Sequence, residues 1–382
     1  MILRNLKFLT KRRIEAGIFL LVFLGIFGCL SFRMGLANML NTIMNTAYSL
    51  LIDTVFYIMA ITVISGSLSS LLIEFGVMRL IEFVFRPMMK PFFNLPGVAA
   101  LGGVLTFLSD NPAVTNLAKD PNFNKYFKKY QLVSLVNFGT SLGMGLIVLV
   151  FMIGLGYGTA AAIGLFGVFI GAIVSTRLLQ YFVLKMNPEL RNEEVGSGDE
   201  QKISFKSEGG VSLRVLNTVL EGGKSGVEIG LTVIPGVLVI STFIMIFTFG
   251  TSKSGEYTGA AYEGIALLPY LAGKVNIVFE WLFGFTHPEL IAFPITSLGA
   301  VGGALGLVPR FSEMHLLDNN AIAVFTAMGT CWGGFLSTHT GMFDSLGFRK
   351  FTSKGILAHT IAGIVAGVSA HWAYVLFSFF VS

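Results

Sequence analysis

Apolar runs about as long as a bilayer's hydrocarbon core recur along this whole chain, and they constrain its fold more than anything else in the sequence. A helix needs roughly 20 apolar residues to cross. Such runs fall at about 14–30, 50–73, 131–155, 159–184, 227–250, 320–343 and 355–380, so about seven full spans are expected. Hydrocarbon offers backbone amides no partner, which leaves the helix as the form each run takes. The fold class is therefore an all-α polytopic membrane protein. Composition agrees: 54% of the 382 residues are apolar, 12% are charged and mean hydropathy is +0.76, whereas soluble domains carry roughly 25% charge.

Two further apolar stretches, near 96–118 and 288–309, are interrupted by Gly, Pro and polar residues. Each reads as a re-entrant helical hairpin that returns to its own side. Lysine and arginine collect in short cytoplasmic loops, which tests this layout. With the N-terminus inside, only Arg33, Lys253, Lys274 and Arg310 of the 26 Lys and Arg lie outside. Making either hairpin a true crossing would destroy that asymmetry. The basic clusters are thus topology signals and not a nucleic-acid face. The expected location is a bacterial inner membrane, multi-pass, with a cytoplasmic N-terminus. Arg4, Lys7, Lys11, Arg12 and Arg13 precede the first run, and no small-x-small cleavage pattern follows, so that run reads as an uncleaved anchor.

Internal repetition gives the strongest organisational signal. At an offset of 176, Asn41-Thr42-Ile43-Met44 faces Asn217-Thr218-Val219-Leu220, and Ile64-Ser65 faces Ile240-Ser241. At 192, Pro96 faces Pro288; at 190, Gly139-Thr140-Ser141-Leu142-Gly143 faces Gly329-Thr330-Cys331-Trp332-Gly333. The shared order is amphipathic arm, span, hairpin, then a span carrying G-T-[SC]-x-G. An odd number of crossings separates equivalent points, so the expected architecture is two inverted repeats. The domains follow: 1–40 an anchor helix and external loop, 41–155 the first repeat, 156–212 a connecting span and cytoplasmic linker, 213–345 the second repeat, and 346–382 a C-terminal span.

Inverted repeats with discontinuous segments place a binding site near the midplane, where helix ends and unwound backbone meet a polar solute. The first hairpin concentrates Ser109, Asp110, Asn111, Thr115 and Asn116 around Pro112, which cannot donate a helical hydrogen bond. A carboxylate at membrane depth is costly and marks Asp110 as functional, although it could simply cap the returning helix. The second hairpin offers Thr296 and Ser297; the spans that follow offer Asn137 and, later, Thr330 and His339. All of these are candidate solute contacts. Candidate coupling-ion groups are Asp110, Asn116, Thr140 and Ser141. His339 could instead sit at the interface near Arg349, and Thr140 and Thr330 could serve helix packing. No H-E-x-x-H, nucleotide-binding loop or clustered metal ligands occur, which argues against an enzyme or an ATP motor.

The stretch Glu221-Gly222-Gly223-Lys224-Ser225-Gly226 running into Ile234-Pro235-Gly236, with a hairpin ending in a polar-Pro-Ala turn, resembles the Gate or nucleoside-recognition domain. Over roughly 40–345 the order of elements is similar to concentrative nucleoside transporters. In those proteins a Gln-Thr-Glu-Ala-Pro-type hairpin contacts the nucleoside and a nearby site holds sodium or uses protons. The matching turn here is Ser109-Asp110-Asn111-Pro112-Ala113, which keeps one acid and one amide in another order. The resemblance implies a secondary-active transporter of a small polar, nucleoside-like solute, coupled to sodium or protons, working by elevator-like alternating access. A non-transporting Gate-domain scaffold or sporulation-type partner protein is the alternative. Expected partners are the bilayer, a small solute and further copies of the chain in a homo-oligomer, without nucleic acid; no cofactor beyond a coupling ion is expected.

Cysteines introduced at Lys125 and Glu200 should react only with reagent on the cytoplasmic side, and one at Ser254 only from outside. Reaction of position 125 from outside would mean that the first hairpin crosses the membrane.

Overall fold

The computed structural model describes residues 11–195, 210–252 and 255–381. Arg4, Lys7, Lys253, most of the expected linker, and positions 200 and 254 lie outside the described residues. The described chain is helical and holds no strand, only one isolated bridge between Lys128 and Glu194. Seven helices are long and apolar enough to cross a membrane. This is a multi-pass membrane protein.

The principal helices, in order, are α1 (Lys11–Met34), α2 (Leu36–Glu74), α3 (Val77–Met88), α4 (Ala99–Leu108), α5 (Pro112–Ala118), α6 (Lys129–Thr140), α7 (Gly145–Gly154) and α8 (Gly158–Met186). After the linker come α9 (Val211–Thr248), α10 (Ala292–Gly299), α11 (Val301–Leu305), α12 (Asn319–Trp332), α13 (Phe335–Ser345) and α14 (Thr352–Val381). Each expected arm runs into its span without a stop, giving α2 39 residues and α9 38. A π-helical stretch interrupts each, at Leu50–Val55 and Gly236–Ser241. Only Leu30 and Met34 of α1 are buried, so this helix stands at the edge with its apolar surface facing outward.

Lipid tails are as apolar as leucine, so membrane helices associate through close packing and interhelical hydrogen bonds. α2 and α9 show why glycine is needed for this. A methyl on Gly66 would stand 2.5 Å from the Gly222 carbonyl oxygen, and one on Gly226 would collide with the Thr62 carbonyl. That closeness lets Thr62 Oγ1 donate to the Gly226 carbonyl at 2.7 Å and Ser67 Oγ to Val219 at 2.9 Å. The Glu221–Gly226 stretch therefore does its work here as a packing seam. A second seam joins α8 to α12 and α14: the position of a Gly167 methyl lies 2.5 Å from the Ala366 carbonyl oxygen, and that of a Gly171 methyl 2.8 Å from Cys331 Sγ.

Gly226→Leu should lower the melting temperature in detergent, with about 1–3 kcal/mol lost to overpacking. Gly17→Leu should leave it unchanged, because nothing lies within 4 Å of that position. Equal melting temperatures for the two variants would show that the α2–α9 seam is not a tight contact.

Candidate functional site

Four helix breaks build the site. α4 stops at Leu108 and α5 restarts at Pro112, leaving Ser109, Asp110 and Asn111 between them. α10 stops at Gly299 and α11 restarts at Val301, so the second break falls at Ala300, just past Thr296 and Ser297. The other two breaks lie at the positions matched by the offset of 190. α6 gives way to α7 through Met144, at φ +56°, and α12 to α13 through Gly333 and Gly334, at φ +49° and +70°. Left-handed backbone suits glycine because it lacks a Cβ. At Met144 a bulky residue holds the same conformation, a strained arrangement of the kind that persists only when its surroundings enforce it.

Asn111 joins these breaks. Its side chain is buried, and Nδ2 donates to the Gly333 carbonyl at 2.9 Å and, more weakly, to Thr338 Oγ1 at 3.4 Å. On its other side lies Gly143, where a methyl would collide with Asn111 Oδ1. The neighbouring Gly334 donates its backbone N–H to the Ser297 carbonyl at 3.0 Å, tying the bend to the second break. The two broken elements thus meet through Gly333-Gly334. At the position of a Gly333 methyl, the Thr140 and Thr330 carbonyl oxygens are 3.3 Å away and Asn111 Oδ1 is 3.5 Å away. These three oxygens border the Gly333 bend.

The hydrogen-bonding inventory at this junction is incomplete. Asn111 Oδ1, Thr115 Oγ1 and Thr330 Oγ1 are buried without a partner among the described residues. Buried polar atoms are satisfied in the great majority of cases, so three such atoms on elements gathered around one junction suit a polar ligand. The remaining hydroxyls are satisfied within their own helices: Thr140 by Val136, Ser141 by Asn137, Thr296 by Ala292 and Ser297 by Phe293, each to the carbonyl four residues back. Ser109 does the same with Leu105. Asp110 is partly exposed, and its Oδ1 accepts the N–H of Asn111 at 2.7 Å. Asn116 is exposed on α5 and is not among the groups that meet at the junction.

Asn137 and His339 form a separate unit. Both are fully buried, and His339 Nε2 lies 3.1 Å from Asn137 Oδ1. Asn137 Nδ2 donates to Ser175 Oγ and to the Gly355 carbonyl, both at 3.1 Å. Ser175 Oγ meets His359 Nδ1 at 2.7 Å, and His359 Nε2 meets the Cys331 carbonyl at 2.6 Å. A carbonyl can only accept, which sets every direction in the chain. His359 carries its proton on Nε2, Ser175 donates to its Nδ1, and His339 donates from Nε2. This network cross-links α6, α8, α12, α13 and α14 directly behind the Gly333 bend. Ser175 and His359 were not singled out in the sequence, although a histidine within an apolar span is itself a flag.

Residues 55–156 match the Gate family model, described as nucleoside recognition. That match includes the Ser109-Asp110-Asn111-Pro112-Ala113 turn on which the resemblance partly rests; the stretch at 221–236 lies outside it. Solved structures of the concentrative nucleoside transporter CNTnw superpose over most of the chain. The inward-facing substrate-bound state gives a TM-score of 0.55 at 12% identity, covering 82% of this chain and 74% of that one. An outward-facing variant gives 0.57 at 14% identity, covering 97% and 87%. An intermediate-state variant gives 0.53 at 14%, covering 83% and 76%. This chain shares their fold. No curated protein matches the sequence.

Asn137→Ala should cost about 1–3 kcal/mol of stability, because it leaves buried partners unsatisfied. Asn116→Ala, on an exposed position, should change stability by less than about 0.5 kcal/mol. Matching thermal denaturation curves for the two variants would show that the Asn137 network does not hold these helices together.

Proposed function

We propose that this chain is a secondary-active transporter that moves a small polar, nucleoside-like solute by alternating access. The observation that carries the reading is that Asn111 Oδ1, Thr115 Oγ1 and Thr330 Oγ1, on the elements that meet at the helix breaks, are buried without a partner among the described residues. Irregular backbone at membrane depth is tolerated where protein encloses it or a polar cavity meets it, and transporters use such breaks to hold solutes and ions. The Gate match and the shared fold with a nucleoside transporter support the choice of solute class. They also favour transport over catalysis.

Within this proposal both broken elements are re-entrant hairpins, and an elevator-like displacement of one against the scaffold opens the junction. Asn111, Thr296, Ser297 and Thr330 belong to the solute side. The Thr140 and Thr330 carbonyls and Asn111 Oδ1, which border the Gly333 bend, are oxygen donors of the kind sodium takes. Asp110 supplies a carboxylate at its rim, for sodium or a proton. The protein would work in a bacterial inner membrane with its N-terminus in the cytoplasm, as a homo-oligomer.

Purified protein should show a melting-temperature increase with nucleosides that depends on sodium or on pH. Asn111→Ala should weaken solute binding by about 1–3 kcal/mol, roughly 5- to 150-fold in Kd. Asp110→Asn should retain the fold and lose the ion dependence. If Asp110 only caps α5, its Asn variant should behave as wild type, since Asn caps about as well. Absence of any solute response across nucleosides, bases, amino acids and carboxylates would favour the scaffold reading instead.

A further inference from the structure

A second polar feature lies away from the junction, around α3. This helix follows the end of α2 and is sharply two-faced. Leu80, Phe83 and Val84 project outward at 68%, 75% and 63% exposure, while Arg79, Glu82 and Arg86, spaced i, i+3 and i+7, share an adjoining polar face. An amphipathic helix of this kind lies in the membrane interface with its apolar side in the acyl region. Its polar face borders a cleft of about 560 Å³, lined also by Glu74 and Phe75 at the end of α2, by Pro96, Gly97 and Val98 at the entry to the first broken element, and by Arg214 at the start of α9.

The charges in this cleft are placed by packing. Arg214 is held by Glu74, Nε to Oε1 at 2.7 Å, and by stacking over Phe75 at 5.2 Å from the ring centroid. The Arg86 stem lies across Gly97, where a methyl would stand 2.5 Å from its Cγ and 2.9 Å from its Nε. Glycine at 97 thus lets the Arg86 side chain lie directly on the backbone of the first broken element. The lining thus sets three arginines, Arg79, Arg86 and Arg214, against two carboxylates, Glu74 and Glu82. The cleft is net cationic, partly enclosed, and set at the level of an interfacial helix.

We propose that this cleft binds the phosphate of an anionic phospholipid headgroup, with the lipid's acyl chains beside the Leu80, Phe83 and Val84 face. A phosphate diester presents the anionic oxygens that arginine's planar donor fork engages. Basic pockets between membrane helices on the cytoplasmic side are suited to such headgroups. The cytoplasmic assignment rests on the charge asymmetry of the loops and not on transport. Because Arg86 lies against Gly97, a bound headgroup would bear directly on the entry to the first broken element, giving the surrounding lipid a handle on the part of the protein that the transport reading moves.

The test uses the full chain in detergent. Phosphatidylglycerol, phosphatidylcholine and inorganic phosphate are titrated separately while the melting temperature is followed, and lipid retention is read by native mass spectrometry. Phosphatidylglycerol alone should give a saturable increase. Arg79→Gln combined with Arg86→Gln should weaken its half-saturation roughly 30-fold, and Glu82→Gln should tighten it about fivefold, by the usual contribution of a charge near an anionic surface. The opposite sign for Glu82→Gln separates binding from general loss of fold. Single Arg79→Gln replaces the double variant if the latter does not fold. Equal response of wild type and arginine variants, or an equal response to phosphatidylcholine, would overturn the proposal. An increase reproduced by inorganic phosphate would assign the cleft to a soluble phosphate and overturn the lipid assignment. The readouts involve no transported solute, so their failure is distinct from failure of the transport reading.

Discussion

The constraint on which the rest of this structure depends is the absence of hydrogen-bonding solvent in hydrocarbon. A break in a membrane helix frees backbone groups that only the protein can satisfy. Four breaks therefore cannot be scattered over a lipid-facing surface. Here hydrogen bonds join three of them: the Gly333 carbonyl accepts from Asn111, and Gly334 donates to Ser297. The site is a consequence of this mutual satisfaction. Asn111 Oδ1 and the hydroxyls of Thr115 and Thr330 stay buried without a partner among the described residues, which is the observation the transport proposal rests on.

Such convergence demands that helices approach far more closely than large side chains permit. Gly66, Gly222 and Gly226 bring α2 onto α9, and Gly167 and Gly171 bring α8 onto α12 and α14. Behind the junction, the Asn137, Ser175, His339 and His359 network fixes five helices in one arrangement through directional bonds. In apolar surroundings a buried polar network of this kind makes a slipped arrangement costly, because sliding any member leaves several groups unpaired. The packing seams give closeness, and the network gives register.

In the proposed arrangement the cleft beside α3 lies at the membrane surface, where water and headgroups let three arginines share it with only two carboxylates. The first broken element touches both environments, Gly97 at the cationic cleft and Asn111 at the buried junction.

The seven spans were legible because a run of apolar residues long enough to cross has few other fates in water or lipid. Two of the four breaks were legible as well: Pro112 and the Ser109–Asn111 cluster mark one, and the interrupted stretch near 288–309 holds the other. The breaks at Met144 and at Gly333-Gly334 were not, because 131–155 and 320–343 read as unbroken spans. Which side chains belong together was not. Asn137 and His339 stood in the sequence beside Asn111 as candidates of the same kind, yet they face a network with Ser175 and His359. Asn111 instead reaches a carbonyl more than 200 residues away. Thr140 and Thr330 looked like donors of hydroxyl groups, and it is their carbonyls that approach the Gly333 bend. Sequence determined the apolar helices and the two interruptions rich in Pro, Gly and polar residues because each follows from neighbours along the chain. Only the tertiary structure decided the partners, because polar pairing in this protein depends on how helices remote in sequence cross, and those crossings are set by packing across the fold.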